Sequence, residues 1–333
     1  MVLIARLASS STSTQTKPKR TTSEESAQGT YQKALKLLQD PLLPVRAHGL
    51  LLLRQLVSSR STVGGQLEPS SIDKALVPGI LSIFLQSLQD DDSYIFLNAV
   101  QGLSAMVDGF GKDTLKGLVD LYAQGSEGVS STAFTRHDVD QRTRIGEALG
   151  QVIRRCGDAL PIYADVLVPP LFQITRTSHL PTALRTSALS LLAQCVGTSP
   201  LALLPYTVEL LGAMIDLLQV ESVASKQPGP KEAQNTEEKD RVNMDSQPTV
   251  VNSKLPPLRR AALYLLTLLL KSQAEQILEG SLGASYALPL PLLDRAKHTV
   301  VYVAATDEDS VVRVMAKELV DTVQELRQIV VGV

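Results

Sequence analysis

Asp40-Pro41-Leu42-Leu43-Pro44-Val45-Arg46-Ala47-His48-Gly49-Leu50-Leu51-Leu52-Leu53-Arg54-Gln55-Leu56 holds the spacing that decides the fold. Val45 is followed by Gly49 four residues on, by Leu52 and Leu53 at seven and eight, and by Leu56 at eleven. The spacing returns as Ile95, Ala99, Gly102/Leu103, Met106 and as Ile145, Leu149, Val152/Ile153, Cys156. It returns again as Leu184, Ala188, Leu191/Leu192, Cys195, as Leu258, Ala262, Leu265/Leu266, Leu269, and as Val312, Ala316, Leu319/Val320, Val323. Residues at these intervals share one side of an α-helix, so each copy predicts a helix with a single apolar stripe. A small residue usually occupies the second site, where neighbouring helices can approach closely. Six such helices predict an all-α stacked array.

Each stripe helix is preceded by an apolar segment able to pair with it, at 31–38, 72–88, 113–122, 162–174, 206–218 and 292–305. A helical hairpin of this kind cannot bury its apolar sides alone, so stacking supplies the missing surface. The first stripe positions are separated by 50, 50, 39, 74 and 54 residues. Most intervals fall near the about 40–47 residues of the two-helix HEAT class, which predicts a HEAT/armadillo-type α-solenoid of six hairpins. The long interval holds 221–253, rich in Lys, Glu, Gln, Asn and Pro, which predicts a disordered insertion within repeat five. A smaller insert is expected at 125–135 in repeat three. The domain plan is therefore a disordered leader at 1–28, a solenoid at 29–328 carrying the 221–253 insertion, and a tail at 329–333.

The residues between paired helices repeat as well. Asp stands five positions before the first stripe residue in four copies, at Asp40, Asp90, Asp140 and Asp307, and Arg follows that residue in four, at Arg46, Arg185, Arg259 and Arg313. A carboxylate there can cap the open N–H groups of the stripe helix, while the Arg can reach a carboxylate of a neighbouring repeat. Stacking turns such pairs into a ladder. Phe96 and Gly146 replace the Arg in repeats two and three, which interrupts it there.

Composition excludes several functions. The formal charge of −2 offers no basic field for nucleic acid, and aromatic residues are 4% of the chain with no Trp, so no large aromatic pocket is expected. Cys156 and Cys195 occupy the same last stripe position of consecutive repeats, which reads as core packing in a reducing compartment and not as a disulfide framework. The longest apolar runs, such as 261–270, are shorter than the about 20 residues needed to cross a bilayer, so no integral membrane segment is expected. Residues 1–20 carry Arg6, Lys17, Lys19 and Arg20 with no acid, a composition shared by organelle-targeting peptides and by disordered leaders.

A search for chemistry returns no catalytic, cofactor-binding or metal-binding set. His48, His137, His179 and His298 fall in different repeats without ligand spacing, and no CxxC, HExxH, GxSxG or phosphate-binding loop occurs. Asp90-Asp91-Asp92 lacks the residues of a calcium loop and reads as a capped turn. Arg154 and Arg155, with Arg54 at the equivalent place in repeat one, are candidates for contact with an acidic partner, against the plainer reading of a solvated helix face. Lys17-Pro18-Lys19-Arg20 is too short a basic cluster to mark nuclear entry by itself.

Asp40 through Leu50 with Leu53-Arg54, and Asp91 through Leu103, resemble the C-terminal region of a HEAT-repeat family. It is the family of RNA polymerase II assembly and nuclear-import factors of fungi, whose animal relatives are called transport and Golgi organisation protein six. Arg142 with Gly146-Glu147, Arg155-Cys156-Gly157-Asp158, Arg259-Arg260-Ala261-Ala262 and the segment 307–319 extend the resemblance over about 31–326, apart from the insertion. The resemblance implies a non-enzymatic adaptor, without cofactor, that helps polymerase II subunits assemble in the cytoplasm and enter the nucleus with transport factors and nucleoporins. It also implies more repeats upstream in the longer family members. The animal name leaves a second reading, a scaffold of secretory traffic with peripheral Golgi association.

Overall fold

The structure is a computed structural model that describes residues 22–58, 61–63, 66–68, 72–124, 134–224, 256–280 and 288–332. In chain order the elements are α1 (Thr22–Leu38), α2 (Leu43–Ser58), β1 (Ser61–Val63), β2 (Gln66–Glu68), α3 (Val77–Ser87), α4 (Ser93–Ala123) and α5 (Arg136–Cys156). They continue as α6 (Ala164–Arg176), α7 (Thr182–Thr198), α8 (Thr207–Ala224), α9 (Pro256–Leu278), α10 (Leu290–Thr306) and α11 (Ser310–Gly332), with 3-10 turns at Gly157–Tyr163 and Pro200–Tyr206. Among the described residues the fold is helical apart from the small antiparallel pair β1 and β2, in which Thr62 faces Leu67.

All six stripes lie on helices: α2, the first half of α4, α5, α7, α9 and α11. These contact one another in chain order and form one layer, α2 on α4, α4 on α5, α5 on α7, α7 on α9 and α9 on α11. The segments expected to partner them form the second layer through α1, α3, α6, α8, α10 and the second half of α4. Every stripe position is buried except Val45, Leu52 and Val320, which are half-buried in the first and last repeats, where one neighbour is missing among the described residues. Close approach is visible at Gly102, where a Cβ atom would sit 2.2 Å from the Phe84 ring, so a side chain there would displace α3 from α4.

No loop separates repeats two and three. The chain passes from one layer to the other inside α4, with only Phe110 (φ −138°, ψ 36°) leaving helical geometry. Thr114 donates its hydroxyl to the Phe110 carbonyl at 2.8 Å, satisfying one acceptor that the kink releases.

Element ends differ from the sequence plan for a common reason, packing. α1 begins inside the expected leader and places Ala27 against the core, and α11 runs through the expected tail with Val330 packed on the core. α8 continues to Ala224, so Glu221 is a buried helical residue and not the start of an insertion. Within the expected 125–135 insert, Thr135 is the N-cap of α5 in a reciprocal pair with Asp138, and Phe134 lies under the Arg142 guanidinium at 4.9 Å. Residues 1–21, 125–133 and 225–253, where the leader and insertion readings fall, lie outside the described residues. The segment Pro200–Glu221 is long and apolar enough to cross a bilayer by length and composition, and half of its most apolar window is buried inside the array.

Candidate partner-binding surface

The ladder residues separate into rungs that close and rungs that do not. Arg46 pairs with Asp90 and Arg259 with Asp307, so each Arg reaches forward to the Asp of the next repeat. Arg259 Nε lies 2.8 Å from Asp307 Oδ2, and its Nη2 donates to Oδ1 at 3.0 Å, with both side chains buried. Burial pushes the Asp90 carboxyl upward, but the Asp92 N–H, Arg46 and the charge of Arg144 outweigh it and hold the group below the usual carboxylate range.

The expected capping role falls elsewhere. Asp90 accepts from the Asp92 N–H at 3.0 Å and Asp307 from the Asp309 N–H at 2.9 Å, so these carboxylates brace the turn before the helix. The cap is two residues later: Asp92 accepts from Tyr94 and Ile95 at 2.8 and 3.2 Å, and Asp309 from Val312 at 2.9 Å. Asp309 also takes Arg260 of the preceding repeat, with Nε donating at 3.2 Å. Asp40 accepts from the Leu42 N–H at 2.8 Å.

Three ladder residues behave differently from expectation. Asp140 is exposed and lies 3.9 Å from Arg136 of its own helix, because Phe96 stands where the preceding repeat would supply an Arg. Arg144 of repeat three covers that Phe96 ring at 4.8 Å. Arg313 turns back and donates Nη1 to the carbonyls of Asp307 and Glu308 at 2.7 and 3.1 Å, with no further repeat ahead of it among the described residues. Repeat five carries Ser253 in sequence where the other repeats carry Asp, and Arg185 is met by Glu221 from the end of α8, Oε1 lying 3.9 Å from Arg185 Nη1. Spacing could not reveal Glu221, since it enters from the opposite side of the interval that lengthens repeat five.

The three candidate contact arginines lie on the stripe-helix layer. Arg54 is half-buried and donates to Gln101 of α4, and Arg155 donates to Asp108 at 2.9 Å, also on α4. Both therefore tie neighbouring repeats together. Arg154 is exposed and has no partner among the described residues. The structure brings Arg154 and Arg155 to one helix end but spends Arg155 on its neighbour.

A second polar centre, unread in the sequence, lies between α6 and α8. These two helices scarcely touch, and a cleft of about 710 Å³ opens between them, lined by Phe172 and Thr175, Arg185 of α7, and Gly212, Leu217 and Glu221 of α8. Arg185 is 5% exposed, and its Nε donates to the Thr175 carbonyl at 2.9 Å. Its Nη1 is buried without a hydrogen-bond partner. Burial pushes the Glu221 carboxyl up to about 7, against the opposing charges of Arg185 and Arg259.

No group of three or more His, Cys, Asp or Glu able to hold a metal occurs among the described residues. Burial pushes the Cys156 thiol up to about 11 and the Cys195 thiol up to about 12, which leaves both poor nucleophiles at neutral pH.

Comparison with known proteins supports the resemblance seen in the two early stretches. Residues 31–159 match the family described as "Required for nuclear transport of RNA pol II C-terminus 1". The chain is 25% identical over 193 residues to RNA polymerase II assembly factor RTP1 of Saccharomyces cerevisiae, a match covering 57% of this chain and 18% of that protein. It is 27% identical over 128 residues to RNA polymerase II assembly factor rtp1 of Schizosaccharomyces pombe, covering 38% of this chain and 14% of the relative. The matched part is thus less than a fifth of either relative's length. A solved engineered protein aligns over 89% of this chain and 97% of its own, at 12% identity and a TM-score of 0.36.

Proposed function

We propose that this chain is a HEAT-type repeat block of a non-catalytic adaptor that binds RNA polymerase II subunits during their assembly and delivery to the nucleus. The observation that carries the reading is the family match at 31–159, which falls on the first three repeats and includes the Arg46–Asp90 rung. A two-layer array supports it physically: stacked hairpins present long continuous faces, and those suit proteins better than small substrates. Transport factors and nucleoporins are the further partners proposed, with residence in the cytoplasm and passage to the nucleus. The solenoid is proposed to occupy about 29–328, with the insertion beginning after Ala224.

The test is affinity purification of the tagged chain from cell extract, with depletion in parallel. Enrichment of polymerase II subunits, together with their retention in the cytoplasm after depletion, is the expected result. Recovery of Golgi tethers alone, with polymerase distribution unchanged, would overturn the assignment.

A further inference from the structure

The cleft between α6 and α8 opens beside the Arg185–Glu221 rung and shares those two side chains. Its lining is mixed: Phe172, Leu217 and Val220 supply apolar surface between the charged and hydroxyl side chains, with Met214 buried behind them and Val220 exposed at the mouth. Its charges cancel: Arg176 and Arg185 face Glu209, Asp216 and Glu221, and Arg295 of α10 holds Asp216. Arg185 lines it with Nη1, which is buried without a hydrogen bond and has only the Glu221 charge at 3.9 Å, so an arriving acceptor would satisfy it. Gly212 lies on the same wall with open space where a Cβ would point, so the room extends down to the α8 backbone. The volume falls within the range of ligand-binding clefts.

An anionic ligand would meet the Glu221 carboxylate beside Arg185, and a cationic one would meet Arg176 and Arg185. A neutral acceptor attached to apolar groups fits both wall and donor. Such a combination is found in the main chain of an uncharged peptide. We propose that the cleft binds an uncharged, apolar peptide segment of a partner protein, with Arg185 donating to a main-chain carbonyl and Phe172, Leu217 and Val220 receiving its side chains. This deepens the adaptor reading by giving it a peptide site in repeats four and five, beyond the residues matched by the family.

The experiment is selection of randomised peptides displayed on phage against the whole chain, followed by fluorescence anisotropy of the selected peptides. Gly212→Trp decides the outcome, because it fills the cleft from an open helical position without removing any contact of Arg185. Selected peptides should be apolar and uncharged, and Gly212→Trp should weaken them by about tenfold or more at unchanged melting temperature. Arg185→Met should weaken them comparably. Failure to select any peptide, binding unaffected by Gly212→Trp, or a requirement for a carboxylate in every selected peptide would each overturn the proposal. Random peptides do not depend on polymerase II being the cargo, so this result and the purification can fail separately.

Discussion

Arg259→Met removes a guanidinium from the most buried rung while keeping much of the apolar stem. Arg259 and Asp307 side chains are 4% and 2% exposed, against 32% and 24% for Arg46 and Asp90. Removing one member of a buried pair leaves an uncompensated charge and costs about 3–5 kcal/mol, whereas the corresponding loss in a solvated pair costs about 1 kcal/mol or less. Asp307 retains the Asp309 N–H at 2.9 Å, which places the expected loss for Arg259→Met near about 3 kcal/mol. Arg46→Met should cost about 1 kcal/mol, since Asp90 reaches water. Adding Asp307→Asn removes the orphaned charge and should recover about 2 kcal/mol of the Arg259→Met loss, giving a measurable coupling energy. Urea unfolding followed by circular dichroism gives the totals, and amide hydrogen exchange locates them. Because repeats contact only their neighbours, faster exchange should concentrate in α9, α10 and α11. If both Arg→Met variants lose the same stability within about 0.5 kcal/mol, burial does not set the strength of the rungs and the reasoning fails.

Glu221 gives a pH signature. Its folded pKa of about 7 is raised above the ordinary glutamate value of 4.5, so the folded state holds the proton longer and the contribution is fully present below the unfolded pKa. Stability should fall as pH rises from about 4.5 to 7, by up to about 3 kcal/mol, and Glu221→Gln should flatten that slope in melts across the window. Gly102→Val should cost about 1–3 kcal/mol by driving α3 from α4, and an unchanged denaturation midpoint would show that Phe84 yields freely. Arg313→Ala should cost about 1 kcal/mol for its two carbonyl bonds, read in the same melts, and no change would mean that water replaces them. Deleting 225–253 should leave the melting temperature unaltered, whereas deletion from Glu221 onward should lower it. Equal melting temperatures for the two deletions would remove Glu221 from the stack.

The stripes were legible because they are local. Val45 to Leu56 share a helix side whatever surrounds them, and the same holds for the five later copies, so periodicity alone places all six helices. The ladder was half legible. Arg46 and Asp90 could be named from spacing, and Phe96 announced the interruption that leaves Asp140 unpaired across repeats, but Arg313 could not be told apart from a true rung. Pairing depends on whether a neighbouring repeat supplies the opposite charge, which Phe96 does not, and which nothing after Arg313 does among the described residues. Glu221 and the cleft beside it were illegible, because they arise from α8 extending into a segment of polar composition and from α6 and α8 standing apart. Neither event has a signal within one helix.

The passage of α4 through both layers with one kinked residue carries a mechanical consequence. Between α5 and α6, and between α7 and α8, a short 3-10 turn separates one repeat from the next, and such a joint can bend without disturbing either side. At Phe110 the backbone hydrogen bonds continue on both flanks, so a twist applied to repeats one and two is transmitted as a lever into α5 and α6. The array therefore should flex as two stiff arms joined elsewhere, with repeats two and three moving as one lever and compliance concentrated where α6 and α8 stand apart.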